Sequence, residues 1–223
     1  MSRIVIFGAH GKVGQQLVKL IASRSSPYRA TAVVRNQEQA NHIQEIAQKS
    51  SNISTKLFTV DSASIGDLVE VIVGHDAVVF TAGSGGKNLL QVDLDGAVKT
   101  FEASVIAEVR RFIIVSAIYA DSREFFEKSP IRNYYIAKHY ADRILEAEFK
   151  DELDYTILRP SLLKDDPPQG KIKVLSEGDE SGSVTRADVA RVIFEIIDNK
   201  VTFGRGYDFN NGDSDITDPE TFK

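Results

Sequence analysis

Tyr134 and Lys138 stand four residues apart, and Ser116 closes an apolar run eighteen residues before the tyrosine. Four residues is just over one helical turn, so on a helix the phenol and the ammonium share a face. An ammonium beside a phenol favours the phenolate and lowers the tyrosine from its ordinary value of about 10. This is what a phenolic general acid or base needs for carbonyl reduction. Lys138 would also reach sugar hydroxyls, and the Ser116 hydroxyl would hydrogen-bond the developing alkoxide. Tyr134 packing into the core is the other use of the same spacing.

A second constellation lies at the N-terminus, where residues 3–14 read RIVIFGAHGKVG. Ile4 to Phe7 form a continuous apolar run, the pattern of a central parallel strand covered on both faces. Gly8, Gly11 and Gly14 then recur every third residue. A chain that turns sharply, brings its backbone against a pyrophosphate and packs a helix tightly on the strand must lose a side chain at each of those places. The first N–H groups of the following helix lack intrahelical partners and favour an anion. A plain strand-to-helix turn is the alternative.

Both constellations need a scaffold that delivers strand ends to one edge. Strand-like runs at 3–7, 30–34, 54–59, 77–80, 111–115 and 155–158 alternate with helix-period segments near 13–23, 37–49, 65–72, 90–107 and 131–149. That alternation predicts an α/β fold, a doubly wound parallel sheet of Rossmann type with helices on both faces. In the fourth helix Leu90, Leu94, Ala97, Val98, Phe101 and Val105 fall on one face. Residues 164–182, rich in Asp, Pro, Gly, Ser and Glu, read as a loop over the sheet end that shapes specificity. A helix capped by Thr185 with Asp188, a strand near 207–209 and an acidic tail follow. The whole chain, 1–223, reads as one dinucleotide-binding domain whose residues 161–223 supply small substrate-side elements.

The second strand ends in Arg35, where an acidic residue would bind the ribose hydroxyls of NAD and an arginine accommodates the phosphate of NADP. A solvated arginine is the alternative. Asp61 closes the third strand, either accepting from an adenine amine or capping the next helix. Ala82, Gly83 and Ser84 follow the fourth strand, and such small residues let backbone approach the nicotinamide ribose.

Composition excludes several other classes. Of 223 residues 42% are hydrophobic, enough for one substantial core, and the net charge of −5 with no basic–aromatic stretch argues against nucleic acid. No run of about 18 apolar residues and no leader pattern occurs, so a cytoplasmic protein without a membrane partner is expected. The chain has no cysteine, and its four histidines lack ligand spacing, so no metal is expected.

Together these residues resemble the short-chain dehydrogenase/reductase superfamily, in its atypical NAD(P)-binding branch of biliverdin and flavin reductase-like proteins. The resemblance is carried by the three glycines, Arg35, Asp61, Ala82-Gly83-Ser84, Val92-Asp93 with Gly96-Ala97, Ser116, Tyr134 to Lys138 with Ala141-Asp142, and Tyr155 to Pro160. Thr185 to Ala190 and Asn211-Gly212-Asp213 extend it, while Ser161 stands where the branch often has glycine. It implies a Rossmann-type sheet, NADP as cofactor and a monomer or weak homodimer. The implied cofactor-binding set is Gly8, His10, Gly11, Lys12, Val13, Arg35, Asp61, Ala82, Gly83, Ser84, Ser116, Lys138 and Pro160; the catalytic set is Ser116, Tyr134 and Lys138. The expected activity is NADPH-dependent hydride transfer to a small carbonyl, quinone or flavin-type acceptor. The alternative is a catalytically silent NADP-binding sensor, and a nucleotide-sugar epimerase is disfavoured by the short stretch after Pro160.

Overall fold

Alternate residues of β1 (Ser2–Phe7) enter two different cores: Ile4 and Ile6 pack on one face of the sheet, Val5 and Phe7 on the other. Burial on both faces is why this strand is an uninterrupted apolar run. The computed structural model describes residues 1–176 and 178–223; Glu177, inside the loop expected at 164–182, lies outside them. β2 (Tyr28–Val34), β3 (Ile53–Leu57), β4 (Ala77–Phe80), β5 (Arg111–Val115), β6 (Asp154–Pro160) and β10 (Arg205–Asn211) join β1 in parallel, in the order β3-β2-β1-β4-β5-β6-β10. β8 (Lys171–Val174) adds antiparallel to β10, and β11 (Ser214–Asp215) closes the nine-stranded sheet. The winding direction reverses between β1 and β4, which opens a crevice beyond their carboxyl ends.

On one face lie α1 (Lys12–Ala22), α2 (Gln37–Ile46) and α7 (Arg186–Ile196), contributing Leu17, Ile43 and Val192 to its core. The other face carries α3 (Ile65–Ile72), α4 (Asp95–Ile106) and α6 (Arg132–Glu148), with Leu68, Phe101 and Leu145 inward. These are the expected doubly wound layers. Ser64 and Asp67 form a reciprocal capping box on α3, so the helix-cap alternative for Asp61 is not realised. Thr185 caps α7 as its sequence suggests, donating to the Asp188 carboxylate and accepting from the Asp188 N–H. That carboxylate also takes the Gln169 and Gly170 N–H groups and the Asn211 amide, tying the loop after β7 (Leu162–Lys164) to the helix start.

Two expectations require correction. The segment 90–107 is not one α-helix: Leu89–Leu94 winds as a π-helix before α4 begins. The wider turn throws Leu90 off the apolar stripe, where it is 63% exposed, and turns Asp93 inward. The loop at 164–182 contains β8, and β7 pairs with β9 (Ser183–Thr185) in a separate two-stranded sheet. The acidic tail is also anchored, because Ile216 and Phe222 are buried and the Tyr207 hydroxyl donates to the Phe222 carbonyl. A short helix, α5 (Arg123–Glu127), has no counterpart in the expected elements.

Candidate functional site

The crevice at the switch point is a cleft of about 420 Å³. Gly8, His10, Gly11, Arg35, Asp61, Ala82, Gly83 and Ser84 line it, joined by Gln39, Phe58, Thr81, Lys87, Asn88 and Val92. Its floor admits no side chains. Gly8 sits at φ +84°, and a Cβ there would lie 2.5 Å from the Ala82 nitrogen; one on Gly14 would lie 2.5 Å from the Gly8 carbonyl oxygen. Gly11, which lines the cleft, precedes α1 without any capping side chain, so the first N–H groups of the helix are unclaimed by a cap. Thr81, which the sequence pattern does not single out, donates to the Phe7 and Gly8 carbonyls and ties the end of β4 to the turn. A glycine-lined cradle against open helix N–H groups fits a pyrophosphate.

Arg35 ends β2 at the rim, exposed, with its N–H held by the Gln39 side chain. His10 lies beside it, 3.0 Å from His42 of α2 ring nitrogen to ring nitrogen. Burial, His42 and Arg35 together lower the His10 ring below its ordinary value. Lowering favours the neutral ring, so Arg35 is the cation at this corner of the cleft. Asp61 faces the cleft with its oxygens on the Ser62 N–H and the Asn88 amide.

Five of the expected cofactor residues do not line this cleft. Lys12 turns out to solvent and pairs with Asp165, while Val13 is buried beneath the turn. Pro160 is buried at the end of β6 opposite Phe209. Ser116 and Lys138 are buried at the adjoining end of the sheet, and both are engaged within the protein. Ser116 donates its hydroxyl hydrogen to Asp142 at 2.9 Å, and Arg159 donates to the same oxygen at 2.9 Å. A hydroxyl has one hydrogen, so the expected donation from Ser116 to an alkoxide is not available in this arrangement.

Lys138 lies 3.8 Å from Asp93 and donates to the Val115 carbonyl at 3.2 Å. Its ammonium stands 5.9 Å from the centre of the Tyr134 ring, over the ring and not at the hydroxyl. The expected lowering of Tyr134 is therefore overturned: burial, reinforced by Asp93 and Asp142, raises the phenol above its ordinary value. Lys138 is itself lowered by burial, against the pull of Asp93 and Asp142. Burial is the larger cause, and Tyr134 stays a neutral phenol. Its hydroxyl makes no hydrogen bond with the described residues, so its proton is uncommitted.

Beyond Tyr134 the rings of Tyr135, Phe125 and Tyr119 follow at centroid distances of 5.6, 5.4 and 4.8 Å. Tyr119 holds a left-handed backbone at φ +58°, pinned by its N–H on Asp208 and its hydroxyl on the Asp179 carbonyl. Such strain persists where surrounding contacts enforce it. Phe126 is fully buried and belongs to the core.

Fold and cleft together define a Rossmann-type dinucleotide-binding protein. The chain belongs to the NAD(P)H-binding family, whose sequence pattern matches residues 8–200. It is 37% identical over 220 residues to the uncharacterized sugar epimerase YhfK of Bacillus subtilis, covering 97% of each chain. The UPF0659 protein YMR090W of Saccharomyces cerevisiae is 36% identical over 201 residues, 86% of each chain. Among solved structures, the oxidoreductase ylbE of Lactococcus lactis superposes with a TM-score of 0.87 at 34% identity, covering 99% of this chain and 94% of that one.

Proposed function

We propose that this protein is an NADPH-dependent reductase that delivers hydride to a small carbonyl, quinone or flavin-type acceptor, with Tyr134 as proton donor. One observation carries the reading. A cradle fit for a dinucleotide, with Arg35 and His10 at one end, is tied through the Ser84 N–H of its wall to Asp93, which lies beside Lys138 under the half-buried ring of Tyr134, whose proton is free. Bound nicotinamide supplies the hydride. Gly8 and the open N-terminus of α1 seat the pyrophosphate, and Arg35 pairs with the ribose phosphate that distinguishes NADP from NAD. Tyr134 gives its proton to the heteroatom of the acceptor as that atom gains negative charge, and solvent reprotonates the phenolate. Tyr119 and Phe125, their rings tilted 58° to each other, offer an aromatic wall for the acceptor. Ser116 and Lys138 act from beneath, through Asp142 and Asp93.

The name of the Bacillus relative raises epimerisation. Oxidising a sugar hydroxyl calls for a tyrosinate base at neutral pH, and a phenol raised above its ordinary value opposes that direction. A silent NADP-binding sensor is supported by the engagement of Ser116 and Lys138 inside the protein. NADPH oxidation against quinones, flavins, aldehydes and ketones, with binding measured in parallel, separates the readings. Turnover with any acceptor supports the reductase; tight binding with none across the panel refutes it in favour of the sensor. Interconversion of a nucleotide sugar would establish the epimerase.

A further inference from the structure

The least expected side chain at the site is a carboxylate. Asp93 sits inside the π-helical turn Leu89–Leu94, which packs against α6, and its side chain is 1% exposed. One oxygen accepts the Ser84 N–H at 3.0 Å; the other has no hydrogen-bond partner and lies 3.8 Å from Lys138, itself 4% exposed. Gly83 allows this approach, since a Cβ there would stand 3.3 Å from the unpartnered oxygen. A buried carboxylate left short of partners is expensive, and so is a buried ammonium; each is tolerable only beside the other. A π-turn inside a helix is itself a feature that recurs at functional sites. Every element around the pair supplies a group: Asp142 and Tyr134 from α6, Ser84 after β4, the Val115 carbonyl and Ser116 at β5, and Arg159 of β6 on the far side of Asp142.

We propose that Asp93 is a positioning residue: it holds Lys138 as an ammonium beneath the Tyr134 ring, where the positive charge stabilises the phenolate that forms as Tyr134 gives up its proton. The role rests on the reading of Tyr134 as the proton donor given above. Asp93 touches neither acceptor nor cofactor in this role. It sets the charge of Lys138, and through that the ease with which Tyr134 releases its proton. Because the Ser84 N–H binds the same carboxylate, the cleft loop after β4 and the charge pair are one unit. The sequence carries no sign of this pairing, since 45 positions separate Asp93 from Lys138.

The test is an NMR titration of the Lys138 side-chain nitrogen, assigned with Lys138→Arg, in wild-type protein and in Asp93→Asn. The expected result is a charged Lys138 in wild type at pH 7, and at least a ten-fold loss of its proton affinity, one pH unit or more, in the variant. Asp93→Glu should restore the charged state. Turnover in Asp93→Asn should fall in kcat with the NADPH dissociation constant held, a split that a merely structural residue would not produce. An unchanged Lys138 midpoint in folded Asp93→Asn overturns the proposal. A neutral Lys138 in wild type at pH 7 also overturns it, and that measurement decides alone should Asp93→Asn fail to fold. Absence of NADPH binding by wild type would instead refute the cofactor reading, with the titration still deciding whether Asp93 governs Lys138.

Discussion

Adding one methyl group at Gly14 tests whether the glycine turn is a close-packed cradle. The new Cβ would lie 2.5 Å from the Gly8 carbonyl oxygen, 2.8 Å from the Ala9 Cα and 2.8 Å from the Ala9 oxygen. All three are backbone atoms, so no rotamer change relieves the contact. With ordinary contact beginning at 3.4 Å, α1 must move off the turn by roughly 0.9 Å. Overpacking of this kind costs about 1–3 kcal/mol, or about 2–12 °C in Tm for a chain of this size. The same shift draws the helix N–H groups off a bound pyrophosphate, and losing one or two charge-assisted hydrogen bonds weakens NADPH by about 10- to 100-fold. Gly66→Ala is the matched control. It lies in the first turn of α3, where a Cβ meets only the Ser64 hydroxyl at 3.8 Å. Helix propensity then raises stability by about 0.5–1 kcal/mol. The assay is thermal unfolding with NADPH titration for each variant. If Gly14→Ala matches wild type in both, or if the two variants change Tm in the same direction, the reasoning from backbone approach is refuted.

Arg35→Ala should weaken NADPH by about 10- to 100-fold and NADH by less than about three-fold, measured by paired titrations; equal losses would exclude a phosphate role. Tyr134→Phe should lower carbonyl turnover by about 10²- to 10⁴-fold at nearly constant NADPH affinity, and full retained turnover would mean that the proton comes from elsewhere. Arg111 is buried at the opposite edge of the sheet and donates to the Ile196 and Ile197 carbonyls at the end of α7, to the Asp154 carbonyl and to Thr156 and Thr202. Arg111→Met leaves these acceptors orphaned and should cost about 3–5 kcal/mol, seen as a lower Tm with the NADPH-over-NADH preference intact. Burial pushes the Asp142 carboxyl up to about 6, against Arg159 and Ser116. The folded chain therefore holds this proton more tightly than the unfolded one, so the group's contribution to stability is greatest below about pH 4 and declines as the pH rises through 6. Asp142→Asn removes that decline, and Tm profiles of variant and wild type running parallel between pH 4 and 7 would contradict it.

Patterns that repeat within a few residues were legible before any coordinates. The doubly buried strands read as apolar runs because a parallel sheet covered by helices hides both faces, and Gly8, Gly11 and Gly14 mark where backbone meets backbone. The sequence pattern also marked Arg35 and Thr185, since a strand end and a helix cap are local positions. Where local patterning failed, as with the π-turn at Leu89–Leu94 and the strand at Lys171–Val174, the deciding partners came from far along the chain. The turn packs on α6, and the strand exists only because β10 offers it an edge.

The surroundings of Tyr134 show the same division. Tyr134 and Lys138 share a helix face because 3.6-residue winding puts them there, and that much follows from spacing alone. Only the tertiary structure decided what each polar atom would face. Ser116 gives its hydrogen to Asp142, Lys138 turns to Asp93, and the phenol is raised where its neighbour's charge alone would have lowered it. Charge state depends on burial and on every ionised group within a few ångströms, and the Asp93 carboxylate comes from the π-turn, far from α6 in the chain. The sequence by itself determined the layers of the fold and the close-packed glycine turn, because these rest on backbone geometry and hydrophobic period; the charge environment of Tyr134 had to await burial and the packing of Asp93, from a distant turn, against the buried Lys138.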